Sequence, residues 1–143
     1  MQPQDFDEVV ERIVARDPRY TREAYEFVRE ALDFTQKAIS KANKGKLRHI
    51  TGQELLAGAR AYALQQYGPM ALTVLNEWGI RRGEDIGEIV FNLIDARLFS
   101  KTDADSRADF EGGFDFEEAF RKPFLPTRPW RPARPTDAAK AGQ

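Results

Sequence analysis

The chain has 143 residues, 41% hydrophobic and 31% charged, enough for one compact domain with its own core and a tail. A formal net charge of −1 removes whole-chain attraction to a polyanion, and the absence of cysteine removes disulfides, thiolate metal sites and cysteine nucleophiles. The opening residues MQPQDFDEVV lack the basic start and apolar run of a signal peptide, and no stretch approaches the ~20 apolar residues of a membrane span, so a cytoplasmic protein with no membrane partner is expected.

Phe6, Val9, Val10, Ile13 and Val14 recur at helical spacing, and Asp17-Pro18 ends that helix. Thr21 is expected to cap a longer helix, with Glu23 and Glu26 near its positive end and Tyr25, Val28, Leu32 and Ile39 on its inner face. The apolar signal fades by Asn43-Lys44-Gly45. Lys37, Lys41, Lys44, Lys46 and Arg48 fall there with no acid among residues 36–49. The plain reading is a solvated helix end and loop, with cations suited to the helix dipole; the functional reading is contact with nucleic acid or an acidic protein.

Leu47 to Ile50 fits a short strand. Thr51 and Glu54 have capping-box spacing and open a helix through Leu55, Leu56, Ala59, Tyr62, Ala63 and Tyr67. Gly68-Pro69 breaks it and starts the next, which buries Ala71, Val74, Leu75 and Trp78 and stops at Gly79. After a turn to Gly83, another helix, with a recognition-like stretch over 84–97, carries Ile86, Ile89, Val90, Leu93, Ile94 and Leu98. Residues 98–111 then read as a small hairpin around a polar turn. Asp115 caps a short helix, Phe116 to Phe120, with Glu118 at the capping-box position.

These elements make a mainly α fold, a single domain of five to six helices over 1–122, followed by a tail over 123–143. Two helices joined by a tight turn and followed by a hairpin have the order of a winged-helix module: 69–78 the first helix, 84–97 the recognition-like helix, 98–111 the wing. A helical bundle with an irregular β-ribbon fits the periodicity as well. Sequence-specific DNA binding is disfavoured, because Glu84, Asp85, Glu88 and Asp95 on the second helix would face phosphates with only Arg97 to offset them. An acidic helix and wing suit protein docking better, and Glu84, Asp85 and Glu88 are the expected contacts.

Motifs for catalysis, cofactors and metals are lacking. His49 is the single histidine and has no cysteine partner for a metal. Asp103 to Asp109 resembles a calcium loop only loosely, since Arg107 and Ala108 stand where an oxygen ligand and a glycine belong. No glycine-rich turn is followed by a lysine that would cradle phosphate. The expectation is a non-enzymatic chain with no cofactor and no metal.

The tail carries the sharpest signal. Pro123, Pro126, Pro129, Pro132 and Pro135 fall at three-residue spacing, which stacks them along one edge of a polyproline II helix. Arg128, Arg131 and Arg134 then share a second edge, and Trp130 lies on the third. The order PxxPxR occurs twice. Such preformed strips dock in aromatic-lined grooves with little entropy cost, with Trp130 as the anchor. The arginines on phosphates with Trp130 stacked on a base would instead make an RNA contact. The third option is a stiff tail or a strip that packs on its own domain, as Phe124 and Leu125 are expected to do. Partner binding is thus assigned to Arg128, Trp130, Arg131 and Arg134 with the acidic helix. The RNA- or ribosome-binding alternative rests on the tail and the basic loop.

The segments FDEVVERIVARDPRYTREAYEFVREALDFT, HITGQELLAGARAYALQQYGPMALTVLNEWGI and EDIGEIVFNLIDARLFSKTDADSRADFEGGFDFEEAF resemble a family of short bacterial proteins of unknown function. The resemblance covers about Asp5 to Leu125, most distinctively Tyr67 to Ile80 and Gly87 to Phe91. It implies no activity and no catalytic residue, and it leaves the proline–arginine repeat outside the common region.

Overall fold

Asp5 opens the first helix by accepting a hydrogen bond from the Asp7 N–H at 3.1 Å, with Asp7 and Glu8 in the positive first turn. That helix, α1, runs Phe6–Arg16 and ends before Pro18. In the computed structural model, which describes residues 5–42, 44–45, 50–99, 110–111 and 115–124, it is followed by α2 (Arg22–Ala42), α3 (Gly52–Tyr67), α4 (Ala71–Glu77) and α5 (Gly83–Asp95). A π-helical turn, Glu117–Arg121, and a 3₁₀ turn, Lys122–Phe124, close the described chain. The protein is mainly helical, and no strand occurs among the described residues.

The longest helix, α2, buries Ala24, Tyr25, Phe27, Val28, Ala31 and Thr35 and packs against α1, α3 and α5. Its tightest contact is with α3. A Cβ added to Gly58 would run into the Thr35 side chain, so only glycine lets the two helices meet there. The Thr35 hydroxyl, buried at that contact, donates to the Ala31 carbonyl at 2.7 Å. Phe27 lies among Tyr62, Tyr67 and Trp78, with ring centroids 5.8, 6.5 and 6.0 Å away. Trp78 remains partly exposed, short of the burial expected for it.

The Thr51–Glu54 capping box forms in full: the Thr51 hydroxyl accepts from the Glu54 N–H at 3.1 Å, and the Glu54 carboxylate accepts from the Thr51 N–H at 3.0 Å. Thr21 does not cap α2. Its hydroxyl has no hydrogen-bond partner, and its N–H donates instead to the Trp78 carbonyl at 3.1 Å. That bond ties the start of α2 to the end of α4, where Gly79 sits at φ +92° against the Arg19 backbone carbonyl.

The helix read as recognition-like is the most buried of the set. α5 buries Gly83, Ile86, Gly87, Ile89, Val90, Phe91 and Leu93, and it ends at Asp95, with Arg97 beyond it at φ +66°. Leu98 and Phe99, the expected first strand of the wing, lie in a turn whose N–H groups donate to the Leu93 carbonyl at 2.9 and 3.3 Å. The rest of the hairpin, 100–109, lies outside the described residues, and Phe110 is helical rather than extended. The described residues therefore give the β-hairpin wing no support. The strand expected at Leu47 to Ile50 fares the same: 47–49 lie outside, and Ile50 is in no strand.

Phe110, Phe116, Ala119 and Phe120 are buried, so the core reaches the edge of the expected domain. Asp115 accepts from the Glu118 N–H at 3.2 Å as a cap should, but the short helix it opens is π-wound and packs on α3 and α4. Pro123 belongs to the 3₁₀ turn and not to a polyproline helix, and Phe124 is 46% exposed rather than packed back. The remaining prolines of the ladder lie outside the described residues.

Candidate interaction surfaces around helix α5

A polar network joins the α1–α2 loop to one face of α5. Asp17 accepts from Arg19 Nε at 2.9 Å and Nη2 at 2.7 Å, and from Asn92 Nδ2 at 3.1 Å. Asn92 also donates to the Tyr25 hydroxyl at 3.0 Å. The hydrogen bonds from Arg19 hold the Asp17 carboxyl far below the usual range despite partial burial, with Asn92 adding to the effect. Arg19 also pairs with Glu88 at 3.4 Å. The buried Tyr20 hydroxyl donates to Asp85 at 2.7 Å, and the Arg81 N–H donates to the other oxygen of Asp85 at 2.9 Å. Burial, and then that bond to Asp85, push the Tyr20 hydroxyl well above its usual value.

The three expected contacts on α5 therefore differ. Asp85 is committed to Tyr20 and Arg81 as a structural acceptor. Glu88 is tied to Arg19. Glu84 is partly exposed on the first turn of the helix. All three border a hollow of about 240 Å³, together with Glu111, Arg19 and Arg82. Among the described residues four carboxylates and two guanidiniums line it, a balance that is acidic and suits a basic side chain.

A second concavity lies between α2, α3 and the C-terminal half of α5, with a volume of about 310 Å³. Leu32, Leu55, Phe91, Ile94 and Phe110 supply apolar wall, and Gln36 is a polar member of the lining. Phe91 and Phe110 meet edge to face, 6.2 Å between centroids. Phe110 fits against α5 because Gly87 has no side chain: a Cβ there would stand 2.7 Å from the ring. Sequence reasoning missed this cavity. The spacing of Gly83 and Gly87, one helical turn apart on a helix whose other small and apolar residues form one face, was the available signal for a close approach.

Of the basic loop, Lys37 pairs with Asp33 at 2.9 Å one turn away on α2, and Lys41 and Lys44 are exposed. Lys46, Arg48 and His49 lie outside the described residues, as do Arg128, Trp130, Arg131 and Arg134 of the tail and the Asp103 to Asp109 stretch. Among the described residues no group of three or more His, Asp or Glu side chains converges as a metal site, and no helix is long and apolar enough to cross a membrane. No protein-family model, no curated protein and no solved structure matches the chain. A functional reading therefore rests on geometry and chemistry.

Proposed function

We propose that this chain is a non-catalytic, cytoplasmic interaction module that docks a protein partner. One contact is the acidic hollow at the start of α5, and the second is the proline–arginine strip of the tail. The observation that carries this reading is the hollow: Glu84, Glu88 and Glu111 border a concavity also lined by Asp85, which accepts from Tyr20, and by Arg19, which donates to Asp17. Glu84 and Glu88 are carried on a helix, so their backbone loses little further entropy when they meet a partner's cations. In this reading the α4–α5 pair is a scaffold that presents acids, not a reader of nucleic acid. Two contacts on one chain raise avidity for a partner able to reach both.

The test uses three baits made from the full chain: wild type, Glu84→Lys and Trp130→Ala, each used for affinity capture from lysate of the native host. Both variants should melt like wild type and lose the same captured proteins. Normal capture by both would overturn the reading. Loss by nuclease treatment rather than by substitution would transfer the case to RNA, because phosphate contacts through Lys37, Lys41, Lys44 and the tail arginines would then carry the binding.

A further inference from the structure

We infer that the cavity between α2, α3 and the C-terminal half of α5 binds a small uncharged molecule with an apolar body and one hydrogen-bonding group. This site is separate from the acidic hollow and does not depend on the docking proposal. Its size sets the first limit. A cavity of about 150 Å³ is known to accept benzene, so about 310 Å³ suits a ligand of roughly a dozen non-hydrogen atoms.

Charge sets the second limit. None of the described lining residues is ionisable, so a carboxylate or an ammonium would be stripped of water with no opposite charge among those residues to meet it. A neutral ligand avoids that cost.

The polar group is fixed by what the lining has left over. Two of the described lining side chains can hydrogen-bond, Gln36 and Thr51. The Thr51 hydroxyl accepts from the Glu54 N–H in the capping box, and Thr51 is exposed, so its own O–H can be satisfied by water. The Gln36 side-chain oxygen is buried and has no hydrogen-bond partner. A buried acceptor without a donor is unfavourable, and a ligand hydroxyl or N–H supplied from the cavity would relieve it. Because that oxygen has no open surface in the free protein, engaging a ligand requires the Gln36 side chain to turn about its torsions. The opposite wall is preformed, because Phe91 and Phe110 are held edge to face and Phe110 is seated against Gly87.

The probes are 2-naphthol and naphthalene, which match the cavity in size and differ by one hydroxyl. Binding is followed by methyl and amide NMR titration of the full-length protein. The expected result is saturable binding of both, with shifts at Leu32, Leu55 and Ile94, and a preference of about three- to tenfold for 2-naphthol from one net hydrogen bond. Gln36→Met should retain naphthalene and reduce the preference to about one, since the side chain keeps its length and loses its acceptor. Leu32→Trp, placed on a partly exposed lining position, should exclude both. Absence of saturation with wild type, shifts mapping elsewhere, equal affinities for the two probes, or a preference that survives Gln36→Met would each overturn the inference. The wild-type arms decide the matter even if Leu32→Trp fails to fold.

Discussion

Asp17 gathers the Arg19 guanidinium, the Arg19 N–H and the Asn92 amide onto one carboxylate at the end of α1. Its acidity follows from these donors, so its protonation is linked to folding. The folded-state pKa is depressed below the ordinary value of 3.8, which means that the stabilisation is present above that pH and is lost as pH falls below it. Asp17→Asn should cost about 1–2 kcal/mol near neutrality, allowing for the solvent exposure of Arg19. It should also flatten the acid limb of a urea-denaturation profile measured from pH 6 downward. An acid limb unchanged in the variant would show that the network carries no net charge linkage. Residues of this kind were poorly legible in the sequence. Asp17-Pro18 announced a helix end, but Asn92, 75 positions away, gave no sign that it would meet Asp17.

At the scale of elements, periodicity located every described helix, because an apolar stripe at helical spacing has one stable solution, burial against its neighbours. The order of elements suggested a winged-helix module with α5 as the recognition-like helix, whereas the described residues give no wing and the apolar faces of α5 wrap far enough to place it in the core. The stop was also misplaced, since Arg97 adopts a left-handed backbone that no residue rule at that position signalled. The glycine notch is the feature most specific to this arrangement. Gly87→Ala should destabilise the domain by about 1–3 kcal/mol, because the new methyl must displace the Phe110 ring or move the helix. Chemical denaturation of the variant checks this. A change within a few tenths would mean that Phe110 can leave α5 freely.

Considered as a whole, the molecule buries Tyr20 and Tyr25 in its core and half-buries Tyr62 and Tyr67. Burial raises each hydroxyl above its ordinary value of 10.0, with Tyr62, which also donates to Glu30 at 2.8 Å, pushed up to about 12. Raised values mean that folding stability is intact below pH 10 and declines as pH climbs through the folded-state values. Tyrosinate absorbance should therefore appear together with loss of helical circular dichroism. A titration complete near pH 10 with the helices intact would contradict the burial. The composition permitted such a core but did not place it, since whether a tyrosine lines a helix contact or a surface depends on packing between distant segments. The candidate site divides in the same way. Glu84 was readable as a solvent-reaching acid from its place on the helix, the bonds that tie Asp85 to Tyr20 and Arg81 were not, and the cavity beside Gln36 emerges only from three helices meeting.

The docking account is tested most directly by affinity capture with the full chain and a 1–124 truncation, each with and without nuclease. Both baits contain every described core residue, including Phe116 and Phe120, so the comparison isolates the tail. The account predicts a set of proteins that withstands nuclease, is held by the full chain, and is lost or sharply reduced on truncation. Identical captures from the two baits would contradict it, and recovery that vanishes with nuclease would do so in favour of RNA.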